Sequence, residues 1–166
     1  MNLLNLKQVQ IDWLLDRGVS PSAISQPTLM KTCAGQRAKD GRFDVEPEGH
    51  QWFVFEEEHD LVFWQPVSGE IVTETGRAFA LGEEFIDNPA TTAFDQHLNI
   101  YTDPLEWLQH ERRGIVVLKW QFAFVRLRDV PRIAVAEPLL PTYRHHMRPQ
   151  RMPRLAVLPK AERTAA

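Results

Sequence analysis

The chain has 166 residues, of which 43% are hydrophobic and 25% are charged, and its formal net charge is −3 at pH 7. This length and apolar content predict one folded domain with a real core, and they exclude an intrinsically disordered chain. One cysteine, Cys33, excludes an internal disulfide and a cysteine-based zinc cluster. No apolar run reaches the roughly 20 residues of a membrane span, and the start has no signal-peptide pattern. We therefore expect a soluble protein of the cytoplasm that makes no membrane contact.

The first 25 residues have the spacing of helices. Apolar residues at positions 3, 6, 9, 13 and 14 recur at helical intervals, and Gly18 follows Arg17 as a stop signal. Ser20 and Pro21 match an N-cap and a first helical residue, which predicts a second short helix through Ile24. Residues 1–25 are therefore predicted to form a helical entry to the domain. The second helix carries no basic residue, which disfavours a helix-turn-helix DNA reader.

Residues 28–82 change to the pattern of an antiparallel β-meander. Aromatic and β-branched runs at 43–45, 52–55, 61–64 and 71–72 are separated by turn sequences such as Pro47-Glu48-Gly49. Residues 28–38 are predicted to add one more strand. The acidic run at 56–60, which includes His59, is predicted to be a solvated hairpin turn.

Residues 98–158 alternate short strands with short helices. We expect strands at 98–101, 114–118, 133–136 and 155–158, with the second and third buried on both faces because they are continuously apolar. Helices are predicted at 105–110, which Asp103 and Pro104 begin, and at 121–127 and 139–147. This alternation indicates a small βαβ-like sheet. The predicted fold class is α+β, with residues 1–158 as a single domain and 159–166 as a flexible tail.

Several common catalytic and cofactor motifs are missing. All eight glycines lie at or before Gly114, so no glycine-rich loop that could bind phosphate follows a strand in the last third. Ser68 lacks the glycine two residues before the serine that a nucleophile elbow requires. The adjacent His145 and His146 point away from each other on a helix or a strand, and His59 has no partner at metal-ligand spacing. We therefore predict no cofactor, no metal and no catalytic residue.

Charge is divided unevenly along the chain. Residues 1–110 hold 7 Lys/Arg against 18 Asp/Glu, a net charge of −11, whereas residues 111–166 hold 12 against 4, a net charge of +8. An arginine-rich segment without acids suits a phosphate backbone, because guanidinium groups bind phosphate oxygens bidentately. We therefore predict a basic C-terminal face that binds DNA, RNA or a DNA-processing complex. Its candidate residues are Arg126, Arg128, Arg144, His145, Arg148, Arg151 and Arg154.

Residues 133–137 (Ile-Ala-Val-Ala-Glu) resemble the first strand of a toprim domain, the fold of primases and topoisomerases. The resemblance implies that Glu137 ends a buried strand and is followed by a helix at 139–147 and a strand at 155–158. Toprim catalysis also needs an Asp-x-Asp pair, but no aspartate follows Asp129, and Pro138 replaces the expected glycine. The resemblance therefore implies a degenerate toprim-like fold without the catalytic magnesium site.

A broader resemblance links the chain to uncharacterised proteins of bacterial prophages and plasmids. It is carried by residues 63–66 (Phe-Trp-Gln-Pro), 77–82 (Arg-Ala-Phe-Ala-Leu-Gly), 87–89 (Asp-Asn-Pro) and 103–108 (Asp-Pro-Leu-Glu-Trp-Leu). The resemblance implies a mobile-element setting and no established activity.

Three functional hypotheses follow from these patterns. The first is a non-enzymatic accessory protein of a mobile element that contacts nucleic acid through its basic face. The second is a small enzyme whose polar residues converge from loops; its candidates are Asp87, Asn88, Asp95, His97, Asp103 and Glu137. The third is a protein-binding or inhibitor module that uses the acidic run at 56–60. A cleft that holds three or more of the enzyme candidates would favour the second hypothesis.

Overall fold

The computed structural model describes residues 3–149 and confirms the α+β fold class. The strands are β1 (Leu4–Asn5), β2 (Lys31–Arg37), β3 (Phe43–Val45), β4 (His50–Glu57), β5 (Asp60–Gln65), β6 (Glu70–Thr73), β7 (Ala80–Leu81), β8 (Leu98–Ile100), β9 (Val116–Val117) and β10 (Ile133–Val135). The α-helices are α1 (Gln8–Leu15), α2 (Pro21–Ser25), α3 (Glu84–Asp87), α4 (Pro104–Gln109), α5 (Ala123–Leu127) and α6 (Leu140–His146). Short 3₁₀ helices cover Pro89–Asp95, Trp120–Phe122 and Glu137–Leu139.

The N-terminal helices begin and end where the local signals predicted. Gly18 follows α1 with a φ of +79°, which glycine adopts at little cost. The Ser20 hydroxyl accepts a hydrogen bond from the Ala23 N–H at 3.1 Å and caps α2. The prediction that all of 1–25 is helical was wrong at its start, because Leu4 and Asn5 pair with β2. This pairing satisfies the backbone at one edge of β2, and Leu3 packs on the sheet.

The predicted meander is an antiparallel sheet with the order β1-β2-β4-β5-β6, in which β3 also pairs with β2. Residues 28–38 do supply a strand, β2. Alternation along β4 gives the sheet two apolar faces. Phe53 and Phe55 pack with α1, α2 and α4, whereas Trp52 and Val54 pack on the opposite face against the ring of Phe43. The aromatic runs of this segment are therefore explained by burial on both sides of the sheet.

The C-terminal part is built around a parallel pair, β8 and β10, linked through α4, β9 and α5. A parallel bridge joins Ile100 to Ile115, and β9 pairs antiparallel with β7. This confirms the small βαβ-like sheet. The burial predicted for 114–118 is confirmed at Ile115, Val116 and Val117, but residues 133–136 are not fully buried. β10 has only β8 as a neighbour within the described residues, so Ala134 faces solvent. The strand predicted at 155–158 lies outside the described residues.

The segment 79–92, which had the composition of a long polar loop, contains β7, α3 and the start of a 3₁₀ helix. Its backbone is organised by side chains from other elements, as described below. Within residues 3–149, no helix combines the length and the apolar character needed to cross a bilayer.

Candidate functional site

The predicted basic residues that the structure describes lie on α5, on α6 and just beyond each helix. Arg126 is in the last turn of α5 and Arg128 is its C-cap, while Arg144 and His145 are in the last turn of α6. All four are exposed, as is Arg148 two residues after α6. Because α5 and α6 pack together, these side chains share one region of the surface. Arg151 and Arg154 lie outside the described residues.

The direction of the basic side chains on α6 follows from helical spacing. Leu139, Tyr143 and Met147 recur every four residues and pack against the buried cluster around Leu98. The Trp120 and His146 rings also lie side by side, with centroids 6.1 Å apart. Arg144 lies one position after the inward-facing Tyr143, and its side chain is exposed. Arg148 lies beyond the end of the helix and is exposed as well. Packing of the apolar face therefore fixes the exposure of Arg144.

Several arginines of the basic end are held by carboxylates of the body. Arg126 Nη2 lies 3.6 Å from Glu83 Oε2, and Arg132 Nη1 lies 2.9 Å from Asp95 Oδ1. Among the residues that the structure describes, Arg128 pairs only with the adjacent Asp129, at 3.4 Å. Arg144 and Arg148 form no ion pair within residues 3–149. The charge division of the sequence is thus partly neutralised inside the fold, and the exposed cations concentrate at the end of α6.

The prediction that 56–60 is only a solvated turn was wrong, because Asp60 is buried, with 5% of its surface exposed. Its carboxylate accepts hydrogen bonds from the N–H groups of Leu61, Thr75, Arg77 and Ala78, at 2.6–3.0 Å. Burial alone would raise the pKa of Asp60, but these N–H donors stabilise the charged form and lower the pKa below its ordinary value. Asp60 therefore anchors the chain that leaves β6.

Glu57 is a second, half-buried member of that acidic run. Its carboxylate accepts the N–H groups of Gly82 at 2.8 Å and Glu83 at 3.4 Å, just before α3. Burial nevertheless dominates and raises the pKa of Glu57 to about 7. Only Glu56, Glu58 and His59 remain exposed in this turn. The acidic contact surface proposed for a protein-binding module is therefore smaller than the sequence suggested.

A cleft of about 630 Å³ opens beside this turn. We call it the hairpin cleft; its walls include Glu57, Glu83, Asp87, Lys119, Phe122 and Arg126. Glu83 bonds the N–H groups of Phe79 and Ala80 and also pairs with Arg126, while Lys119 donates to the Gly76 carbonyl. Four charged groups of the hairpin cleft therefore bind one another or the backbone of segment 76–83: Glu57, Glu83, Lys119 and Arg126. Their contacts are structural.

Arg112 is a residue whose role the sequence did not indicate. It is 4% exposed, and its guanidinium donates to the carbonyls of Thr28 at 3.1 Å and Ile24 at 3.4 Å. The rings of Phe55 and Trp107 lie 5.6 and 5.7 Å from it. Burial lowers the pKa of Arg112 to about 10, an effect that nearby carboxylates partly oppose. In the sequence Arg112 is half of an ordinary Arg-Arg pair, and only the fold distinguishes it from the exposed Arg113.

A larger cleft of about 1010 Å³ lies between α2, α3 and the turn after α4. We call it the Arg112 cleft; its walls include Gln26, Thr91, Gln96, His97, Arg112 and Arg113. Of the enzyme candidates, Asn88 and His97 line the Arg112 cleft, and Asp87 and Asn88 line a smaller one. None of the four clefts described holds three of them.

Two of the remaining enzyme candidates have structural roles. Asp103 caps α4 by accepting the Glu106 N–H at 2.9 Å, and Asp95 pairs with Arg132. Glu137 begins a 3₁₀ helix and is exposed, next to the point where a toprim-like strand was expected to end. Among residues 3–149, no three His, Cys, Asp or Glu side chains are placed to hold one metal ion. Comparison of the chain with protein-family models, with curated proteins and with solved structures gives no match.

Proposed function

We propose that this chain is a non-enzymatic accessory protein that contacts nucleic acid through a C-terminal basic surface, defined here as Arg128, Arg144, His145 and Arg148. The observation that carries the proposal is the exposure of Arg144 and Arg148 at the end of α6, where neither forms an ion pair within residues 3–149. No Asp or Glu occurs between Glu137 and Glu162, so Arg144, His145 and Arg148 have no acidic residue near them in the sequence. A mobile-element setting remains part of the proposal and rests on the prophage and plasmid resemblance.

Phosphate contact is the chemistry that this surface favours. Exposed guanidinium groups bind phosphate oxygens with paired hydrogen bonds and release counterions from the polymer. The ion pair between Arg128 and Asp129 joins sequence neighbours on the surface, where such pairs contribute little, so Arg128 remains available for a phosphate. Arg126 is already shared with Glu83 and contributes less. His145 adds positive charge only when it is protonated.

Apolar side chains next to the basic surface extend the possible contacts to bases. Phe122 and Val125 are 50% and 54% exposed, and both belong to the 3₁₀–α5 segment that packs against α6. Proteins that bind single-stranded nucleic acid often place an exposed aromatic ring beside cations, because unpaired bases stack on the ring. We therefore expect tighter binding of single-stranded than of double-stranded nucleic acid.

The test measures fluorescence anisotropy of short labelled duplex DNA, single-stranded DNA and RNA between about 50 and 200 mM KCl. The double variant Arg144→Gln/Arg148→Gln is expected to reduce the slope of log K against log salt by about 2 for duplex DNA. The matched control is Arg37→Gln/Arg42→Gln, which removes the same charge from two exposed arginines at the β2–β3 turn. Circular dichroism confirms that each variant is folded.

The outcomes separate the proposal from its alternatives. Equal losses in the Arg144/Arg148 variant and in the control would mean that only net charge matters, and would contradict a defined surface. Absence of binding at the lowest salt would end the nucleic-acid proposal. The variant Phe122→Ala should weaken binding to single strands by about five-fold and leave duplex binding unchanged, since stacking contributes about 1–3 kcal/mol per base.

A further inference from the structure

The structural role of the Arg112 side chain does not explain several features of the Arg112 cleft. Its volume of about 1010 Å³ is in the upper range of small-ligand pockets. It lies between separate parts of the chain: α2 and the residues after it, the segment 84–97, and the turn at 111–114. None of its side chains belongs to the C-terminal basic surface, so what it binds is a separate question from the proposed function.

Backbone strain is concentrated around this cleft. Within residues 3–149, four non-glycine residues have a φ in the left-handed region: Phe94 at 50°, Asp95 at 63°, Glu111 at 57° and Arg112 at 56°. Glu111 and Arg112 line the cleft. Phe94 and Asp95 do not line it, but in the sequence they come between its wall residues Thr91 and Gln96. Each such residue costs about 1 kcal/mol or more, and such strain gathers where a ligand site requires a particular backbone.

Two polar atoms in the cleft wall have no partner. Within residues 3–149, the buried side-chain N and O atoms without a hydrogen bond are Thr91 Oγ1 and Arg112 Nε, and both residues line this cleft. A buried unpaired polar atom costs about 1–3 kcal/mol, so native proteins leave few of them. Arg112 is also a cation buried without an ion pair inside the described range. Strain and unpaired atoms thus coincide at one place.

The exposed wall offers paired donors and acceptors. The side chains of Gln26, Gln96, His97 and Arg113 are exposed and make no hydrogen bond within the part of the chain that the structure describes. Amide side chains match the adjacent donor and acceptor on the edge of a nucleobase. Arg113 supplies a cation of the geometry that a phosphate requires.

One aromatic ring belongs to the wall. The half-buried Phe85 ring lines the cleft and offers an apolar face on which a base can stack. Of the two wall carboxylates, Glu111 is bonded to the Ser22 hydroxyl at 2.6 Å, so Glu84 remains to accept from an exocyclic amino group.

From these observations we infer that the Arg112 cleft binds one nucleotide, with the phosphate on Arg113 and the base beside the amide side chains and the ring of Phe85. The same chemistry is presented by a free mononucleotide and by the 5′-phosphorylated end of a single strand. A carboxylate in the wall favours bases with an amino group, so adenine, guanine and cytosine nucleotides should bind more tightly than uridine nucleotides.

The test titrates the full chain, labelled with ¹⁵N, with AMP, GMP, CMP and UMP, and with a 5′-phosphorylated trinucleotide. Saturable shifts of the Gln96, His97 and Arg113 amide signals are expected, and Arg113→Gln should weaken binding about ten-fold, as the loss of a charged hydrogen bond does. Gln96→Ala should weaken it several-fold, because Gln96 is one of the amide side chains of the wall. These exposed positions are chosen because Arg112 variants could fail to fold. Tighter binding of the trinucleotide would assign the site to strand ends, and tighter binding of the mononucleotides would assign it to free nucleotides.

The control is the Arg144→Gln/Arg148→Gln variant, which should bind mononucleotides as the wild type does. Conversely, Arg113→Gln should keep its affinity for duplex DNA, so the two proposals fail separately. Shifts that do not saturate with any of these ligands would overturn the inference. So would saturable binding that neither Arg113→Gln nor Gln96→Ala changes, since the nucleotide would then lie elsewhere.

Discussion

Glu57 makes the stability of this protein depend on pH in a direction opposite to that of most carboxylates. Burial raises its pKa from 4.5 to about 7 in the folded chain. Between these two values the folded state keeps a proton that the unfolded state releases, so raising the pH favours unfolding. Below pH 4.5 the carboxyl group is protonated in both states and costs nothing. Above pH 7 it is ionised in both, and the folded state carries the whole cost of a buried charge.

The size of the effect follows from the two pKa values. A tenfold change in proton affinity corresponds to about 1.4 kcal/mol, so the difference between 4.5 and about 7 corresponds to at most about 3 kcal/mol. Glu57→Gln keeps an oxygen that accepts the Gly82 N–H and removes the charge. The variant should therefore be more stable than the wild type at pH 8, by about 2 kcal/mol, and nearly equal to it at pH 4.5.

Urea unfolding followed by circular dichroism at several pH values between about 4.5 and 8 measures this difference. The control is Glu58→Gln, one residue later and exposed, which should shift the curves by less than about 0.5 kcal/mol at any pH. Parallel stability profiles for Glu57→Gln and the wild type would refute the reasoning. They would mean that Glu57 is hydrated or charge-compensated in the folded state.

Three further substitutions test contacts that position the same segments. Asp60→Asn should lower the free energy of unfolding by about 3 kcal/mol at pH 7, because four N–H groups lose a charged acceptor. Urea unfolding measures this loss, which should become smaller in acid, where the wild-type carboxylate is protonated. Gly82→Ala should lower the free energy of unfolding by about 3 kcal/mol, since the added Cβ would lie 2.4 Å from the Gly114 carbonyl oxygen. The control is Gly69→Ala, which has the same φ of +74° but open space around it and should lower the free energy of unfolding by about 1 kcal/mol. Trp107→Phe removes the buried 2.9 Å hydrogen bond that Trp107 Nε1 donates to the Gly114 carbonyl, and it should lower the free energy of unfolding by about 2 kcal/mol.

The elements that the sequence predicted correctly are those specified by nearby residues. Ser20-Pro21 and Asp103-Pro104 place a capping oxygen and a preset φ in adjacent positions, so α2 and α4 begin where expected. The strands of the meander were likewise marked by aromatic runs and turn residues. Burial on both faces of β4 reflects the same runs, because every position along the strand is apolar from 52 to 55. Local chemistry was sufficient in these cases.

The acidic turn could not be assigned from its sequence, because its partners are distant. Glu57 and Asp60 bind N–H groups of residues 75–83, which lie 15–26 positions further along the chain. A run of four acids in five residues has the composition of a solvated face, and nothing nearby shows which carboxylates will be covered. The same limit applied to Arg112, whose burial follows from the left-handed turn after α4 and from carbonyls near residues 24–28.

The division of charge along the sequence therefore has two different consequences in the fold. Arg112, Arg126 and Arg132 bind groups of the N-terminal two-thirds and tie the two parts of the chain together. If all seven predicted cations contacted phosphates, the salt slope for duplex DNA would approach about 6. If only Arg128, Arg144 and Arg148 contacted phosphates, the slope would be about 3. Contacts from Arg151 and Arg154 would raise the slope to about 4 or 5. The measured slope thus counts the arginines that the fold leaves for an outside partner.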